Sequence, residues 1–246
     1  MTIEFKMTKA QFNVGCILPT RGSKAHIELT TILPSCITPL LRELDIRKGT
    51  IAEFTDAISQ YKPHIDHFAA EKVNLIHPEG TPPFMLLGYD GERRIVENWR
   101  KETGIEIFTS GMSQIEAMRA LSIKRFVGVG YDFEDTSIVS RYFSDAGFDV
   151  LGLERPVGVP WEMVGDLGPD ELVRLIKDLA AKHPAAEGVY IQGGGWRTLH
   201  IIERLEDELK LPVAQPVAVR CWDIQRRLGV HEPKHGFGQL LSRIPS

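Results

Sequence analysis

Cysteine is scarce in this 246-residue chain: Cys16, Cys36 and Cys221 stand far apart, without the paired spacing that zinc and redox sites use. They read as reduced thiols in a core, and no metal or other cofactor is expected. Long apolar runs are missing too. No stretch approaches the ~20 apolar residues that span a bilayer, and the opening Met1-Thr-Ile-Glu-Phe-Lys lacks the apolar centre of a secretory signal. A cytoplasmic protein with no membrane partner is the expectation. Nor is there a block of like charge: 29 Lys and Arg face 33 Asp and Glu for a net charge of -4, which argues against a nucleic-acid partner. What the chain does have is 43% hydrophobic residues, enough for a core in one large domain or two small ones.

Short apolar runs alternate with amphipathic stretches, the pattern of βα units around a mainly parallel sheet. Strands are predicted at Asn13–Leu18, Leu40–Leu44, Val73–His77, Ile105–Thr109, Phe126–Gly130, Asp149–Leu153, Gly188–Gln192 and Pro212–Gln215. Helical spacing of apolar residues marks Ile51–Ala70, with an expected kink at Pro63, and Asp170–Ala181. The two halves echo each other. Val73-Asn-Leu-Ile-His-Pro-Glu-Gly-Thr leads to a helix, the strand at Ile105 and the helix Gln114–Leu121; Gly188-Val-Tyr-Ile-Gln-Gly-Gly-Gly-Trp leads to a helix, the strand at Leu211 and the helix Val219–Leu228. Two similar α/β lobes meeting at a cleft would explain the echo. The tail after Leu228, rich in Gly and Pro, reads as a frayed end, with a lid or subunit contact as the alternative.

In a parallel sheet, ligands sit outside the carboxyl ends of the strands, so the residues just after each strand are the candidates for chemistry. Gly193-Gly194-Gly195 joins a strand to a helix and reads either as a carboxylate-sized cradle of amides or as a tight turn needing positive φ. It has neither the spacing of a dinucleotide fingerprint nor the Gly-Lys-Ser/Thr of a P-loop. His77, Glu79 and Thr81 bring an imidazole, a carboxyl and a hydroxyl into five residues: an acid/base cluster, or a solvated loop in which Glu79 caps the next helix. Tyr131 is either a hydrogen-bond partner for a substrate oxygen or an ordinary half-buried phenol. Arg21 is either a bidentate carboxylate ligand or a surface arginine. Trp196 is either a stacking wall or core.

In order, these loops resemble the aspartate/glutamate racemase superfamily from about Asn13 to Leu228, and within it the maleate isomerase and arylmalonate decarboxylase branch. Leu18-Pro19-Thr20 is similar to the turn that ends the branch's first strand. Gly80-Thr81-Pro-Pro-Phe sits where the first Cys-Thr-Ser loop falls, with Pro82 in place of the Ser. Val127-Gly-Val-Gly-Tyr131 resembles the strand leading to a substrate-binding tyrosine, Gln192-Gly193-Gly-Gly the second cysteine loop, and Leu211-Pro-Val with Cys221-Trp222-Asp the closing strand and helix.

The resemblance implies two pseudo-symmetric α/β lobes, about 12–122 with part of the C-terminal region and 123–215, with mainly parallel sheets and the active site between them. It also implies cofactor-independent chemistry on a small carboxylate, and a homo-oligomer such as a dimer. Gly80 and Gly193 take both cysteine positions, and no cysteine lies beside either in the sequence, which excludes thiol-based two-base racemisation and a covalent Cys adduct. The expectation is therefore a lyase or isomerase, decarboxylating or cis-trans isomerising, with proton transfer moved to Glu79 or His77 and an oxyanion held by Tyr131 and the glycine loop. Substrate binding is expected of Pro19, Thr20, Arg21, Gly80, Thr81, Gly193, Gly194, Gly195 and Trp196. A hydrolase or hydratase using Glu79 and His77, and a non-catalytic carboxylate binder, are the alternatives.

Overall fold

The computed structural model describes residues 12–21, 25–156 and 168–244. In chain order the elements are β1 (Phe12–Leu18), α1 (Ala25–Ile32), β2 (Ile37–Glu43), α2 (Ile51–Ala70), β3 (Leu75–Pro78), α3 (Thr81–Leu86), α4 (Tyr89–Thr103), β4 (Glu106–Ile107) and α5 (Ser110–Ala120). They continue with β5 (Arg125–Val129), α6 (Ser137–Asp145), β6 (Asp149–Glu154), α7 (Pro169–Lys182), β7 (Gly188–Ile191), α8 (Ile202–Leu209), β8 (Val213–Ala214), α9 (Pro216–Leu228) and α10 (Gln239–Ser242).

All eight predicted strands are present, and they form two parallel four-stranded sheets, β2-β1-β3-β4 and β6-β5-β7-β8. The two orders are the same order repeated, so the echo in the sequence is a repeat of topology. The central strands β1, β3, β5 and β7 are covered on both faces, which is why Val14–Leu18, Leu75–Pro78 and Gly188–Ile191 read as unbroken apolar runs and are buried throughout. The fourth strand is shorter than the predicted Ile105–Thr109, because Thr109 leaves the sheet to cap α5, its side chain accepting from the Met112 amide at 3.2 Å.

Helix α2 starts with a capping box between Thr50 and Glu53 and continues through Pro63. Five apolar or aromatic residues on its inner side, Phe54, Ala57, Tyr61, Ile65 and Phe68, are buried. Helix α9, although it follows the second sheet, packs on α1 and α5 of the first half and buries Val217 through Gln225 without interruption. The halves are also tied where Glu92 of α4 accepts from Thr109 Oγ1 at 2.6 Å and from the Tyr142 hydroxyl of α6. Burial pushes this carboxyl up to about 7.

The C-terminal segment is docked and not frayed. Leu240, Leu241 and Ile244 are buried, and backbone amides of Gly236 and Gln239 donate to Glu203 (2.8 Å) and Glu206 (2.9 Å) of α8. Apolar burial overrides the local Gly and Pro content here. Among the described residues no helix is long and apolar enough to cross a membrane.

Candidate active site

Both glycine positions lie two residues beyond equivalent strands, Gly80 after β3 and Gly193 after β7, and both have positive φ, +101° and +87°. The same spacing after β1 and β5 gives Thr20 and Tyr131. A Cβ at residue 80 would meet Pro19 Cβ and the Tyr61 hydroxyl at 3.0 Å; a Cβ at residue 193 would collide with the Tyr131 ring. The triple glycine is thus a turn needing positive φ, and its first residue is also a place where another residue's ring fills the room for a side chain.

Glu79 does not cap the next helix. The N-cap of α3 is Gly80, which makes no side-chain cap bond, and Glu79 turns inward, 6% exposed, to form an ion pair with Arg220 of α9. Burial raises the Glu79 carboxyl above its ordinary range, and Arg220 pulls it back down. The Glu79 backbone is fixed as well: its amide donates to Ile17 O at 2.8 Å, and its carbonyl accepts from the buried Tyr61 hydroxyl. Thr81 is buried beside it in the first turn of α3.

His77 stands in register with Cys16 of β1, so the two share a face of the sheet, and Glu79 follows on that face two residues later. The imidazole donates from Nδ1 to the Phe108 carbonyl at 2.8 Å, stacks on the Phe108 ring at 4.4 Å, and has Ser110 Oγ 3.5 Å from Nε2. Burial, then the Arg220 charge, drives its pKa down to about 3, which leaves it neutral. His77 is therefore held as a fixed neutral ring, a poor proton donor compared with the acid/base role expected of it. Cys16, remote from Gly80 in sequence, is close to this cluster in space. Its thiol is fully buried and raised by burial and by the Glu79 charge, which makes it inert as a nucleophile.

The second loop is neutral. Tyr131 is 8% exposed, packs edge-on against Trp196 at 4.7 Å, and its hydroxyl oxygen accepts from the Gly195 amide at 2.6 Å. That amide, expected to hold a substrate oxygen, is engaged by the phenol instead. Gln192, just past β7, and Trp196 are both buried, and among the described residues their Nε2 and Nε1 donors have no partner. Buried donors left unpaired cost free energy unless an acceptor arrives.

Pro19 and Thr20 lie at the mouth of the first sheet, Pro19 against Gly80. Arg21 is not brought into the cluster: its side chain is exposed and pairs loosely with Asp45 at 3.7 Å. Trp196 is part of the packed interior. Arg220 and Gln192 escaped the sequence reading. The signal for Arg220 was an arginine inside the apolar face of a helix, Val217-Ala-Val-Arg-Cys-Trp, which is rare without a buried carboxylate partner. Among the described residues no group of three or more His, Cys, Asp or Glu is placed to hold a metal ion.

No curated protein sequence matches the chain significantly. Solved structures do. A maleate isomerase from Pseudomonas putida superposes with a TM-score of 0.86 at 18% identity, covering 95% of this chain and 99% of the other. A double variant of arylmalonate decarboxylase in a liganded form gives 0.86 at 18%, over 94% and 99%. A variant of the Nocardia farcinica maleate cis-trans isomerase, which carries a covalently bound succinylcysteine intermediate, gives 0.85 at 17%, over 94% and 98%. At these identities the likeness establishes the fold. A family model described as arylmalonate decarboxylase matches residues 14–241, nearly the whole chain, and the protein belongs to that family, in the maleate isomerase and decarboxylase branch of the aspartate/glutamate racemase superfamily.

Proposed function

We propose that the protein is a cofactor-independent lyase or isomerase for a small carboxylate, in which the Glu79–Arg220 pair does the work that thiols do in relatives. The observation that carries this reading is the buried ion pair beside Gly80. A substrate carboxylate entering here competes with Glu79 for the Arg220 guanidinium, which binds carboxylates bidentately. Once Arg220 turns to the substrate, Glu79 is left buried with less counter-charge, and its carboxyl takes up a proton. The substrate's own charge thereby arms the acid.

In a decarboxylation, the bond to the departing carboxylate breaks, carbon dioxide leaves, and the electron pair passes to an enediolate. Donors on the second loop receive its oxygen: the Tyr131 hydroxyl, polarised by the Gly195 amide, and the Gln192 and Trp196 N–H groups, which have no partner among the described residues. Glu79 then gives its proton to the carbanionic carbon and is reprotonated from water. A cis-trans isomerisation would need water to add to one alkene carbon, with ionised Glu79 taking the water's proton and the π pair passing to the same oxyanion donors; after rotation about the single bond the added hydroxide leaves, taking its proton back from Glu79. No thiol takes part, because Gly80 and Gly193 offer none and Cys16 is buried and protonated.

The test is turnover of arylmalonates and of maleate, followed by proton NMR, in wild type and Glu79→Gln. The variant should bind a product-like acid as well as wild type and lose at least about 10²-fold in the chemical step. Full turnover by Glu79→Gln would pass the role to another group. Tight binding with no turnover by either protein on any such acid would leave a carboxylate binder.

A further inference from the structure

A second recess lies away from this site, between α4, α5 and the C-terminal end of α9. It has a volume of about 650 Å³, the size of a small-molecule site. Six cations line it: Arg93, Arg94, Arg100, Lys101, Arg226 and Arg227. Three carboxylates, Glu97, Glu106 and Glu116, share the lining. In a chain whose net charge is -4, such a basic recess does not follow from composition.

The neutralisation is incomplete and uneven. Glu106 accepts from Arg100 at 2.8 Å and also pairs with Arg227, while Glu97 is 3.6 Å from Lys101 and 3.9 Å from Arg100. Arg226 and Arg227 both reach Asp223, at 2.7 and 3.0 Å. Arg93, by contrast, donates to the Tyr89 hydroxyl at 3.2 Å and lies over its ring, and among the described residues neither Arg93 nor Arg94 forms a salt bridge. Both are exposed on consecutive positions of α4, next to the paired group. Arg100 shows the excess: burial and the neighbouring Arg227 and Arg93 disfavour its charged form, against the help of Glu106 and Glu97. A clustered surplus of guanidinium groups is what a ligand with several anionic oxygens would relieve. Met112 and Ile115 supply apolar lining alongside.

We propose that this recess binds a small, multiply charged oxyanion, a polyphosphate or a polycarboxylate, with Arg93 and Arg94 as the uncommitted ligands. The volume confines the ligand to small-molecule size and excludes a nucleic-acid track. The site is separate from Glu79 and Arg220, but Arg227 lies 4.5 Å over the Phe108 ring on which His77 stacks, so one wall of the recess also supports the candidate active site.

Isothermal titration of the full-length protein with tripolyphosphate, and in a second arm with citrate, tests this at low ionic strength. One saturable site is expected, weakening as salt rises. In the Arg93→Gln/Arg94→Gln protein, both changes being on exposed positions, affinity should fall at least about tenfold while the unfolding midpoint stays unchanged. Preference for tripolyphosphate identifies a phosphate ligand, and preference for citrate a polycarboxylate. Absence of binding by wild type at millimolar ligand, or equal binding by the double variant, overturns the proposal. Binding lost in Arg220→Met but kept in the double variant places the anion at the candidate active site and overturns it as well.

Discussion

The loops after β3 and β7 occupy the same place in two copies of one topology, each with a glycine at positive φ two residues past its strand, yet their chemistry differs. Around Gly80 stand a buried carboxylate, a buried guanidinium and a neutralised imidazole; around Gly193 stand a phenol, an indole and a carboxamide. The backbone repeat therefore does not enforce a symmetric site. The asymmetry comes from α9, which follows the second sheet but delivers Arg220 to the first. On the proposed function, the charged half supplies the proton and the neutral half holds the oxygen.

The largest way to break this contrast is to remove the counter-ion. Arg220→Met should strip Glu79 of its counter-ion, so that the buried carboxyl takes up a proton on folding, and the lost ion pair should cost about 3–5 kcal/mol in urea unfolding at pH 7. Removing a polar group from the other half, by Gln192→Met, should cost about 1 kcal/mol or less, because among the described residues its Nε2 has no partner to lose. Equal losses would show that the halves do not differ in charge burial. Next in size is the attempt to restore the missing side chains. Both sites have positive φ, but Gly193→Cys must also displace the Tyr131 ring and should cost about 2–4 kcal/mol, while Gly80→Cys, with only 3.0 Å contacts to relieve, should cost less. Removing the ring first, with Tyr131→Ala, should abolish the extra loss at residue 193. If it persists, backbone strain alone sets it.

Acid should separate the halves as well. His77 has a folded pKa near 3, lowered by burial, against about 6.5 when unfolded. A lowered histidine favours the folded state above its unfolded pKa, and that stability is lost as pH falls from about 6.5 toward about 3. At pH 5 the loss from this one group is about 2 kcal/mol. His77→Asn keeps a donor for the Phe108 carbonyl but does not titrate, so its stability should fall less steeply over that range. Gln192→Met in the neutral half should leave the slope as it is in wild type.

Much of the architecture was legible because parallel strands covered on both faces must be apolar throughout, and the runs at Val14, Leu75, Phe126 and Gly188 had no other use. The Gly80 and Gly193 equivalence was legible for the same reason, as punctuation after equivalent runs. The direction of side chains was not. Glu79 could also be read as a cap because a cap and a buried ion pair differ only in a partner 141 residues away, Arg220, that local pattern does not reveal. His77 looked like an acid/base group because the chain does not show that Phe108 would both stack on it and accept a hydrogen bond from it. The docked tail was missed because Leu240 and Leu241 are too few to show a helical period, though their burial suffices to hold it.

A small effect on stability is expected of Tyr131. The phenol takes the Gly195 amide for its own oxygen, at 2.6 Å, and fills the space in front of Gly193 with its ring. Tyr131→Phe keeps the ring, and with it the packing against Trp196 at 4.7 Å, but leaves the amide without that acceptor. The stability loss should be about 1 kcal/mol, the net value of one hydrogen bond. Catalysis should suffer differently. If the hydroxyl passes the polarisation of the Gly195 amide on to a substrate oxygen, the variant should lose about 10–10²-fold in kcat with a small change in KM, since the bond strengthens as charge develops. A rise in KM at constant kcat would instead assign the phenol to ground-state binding, and the second loop would then be a cradle for the substrate and no more.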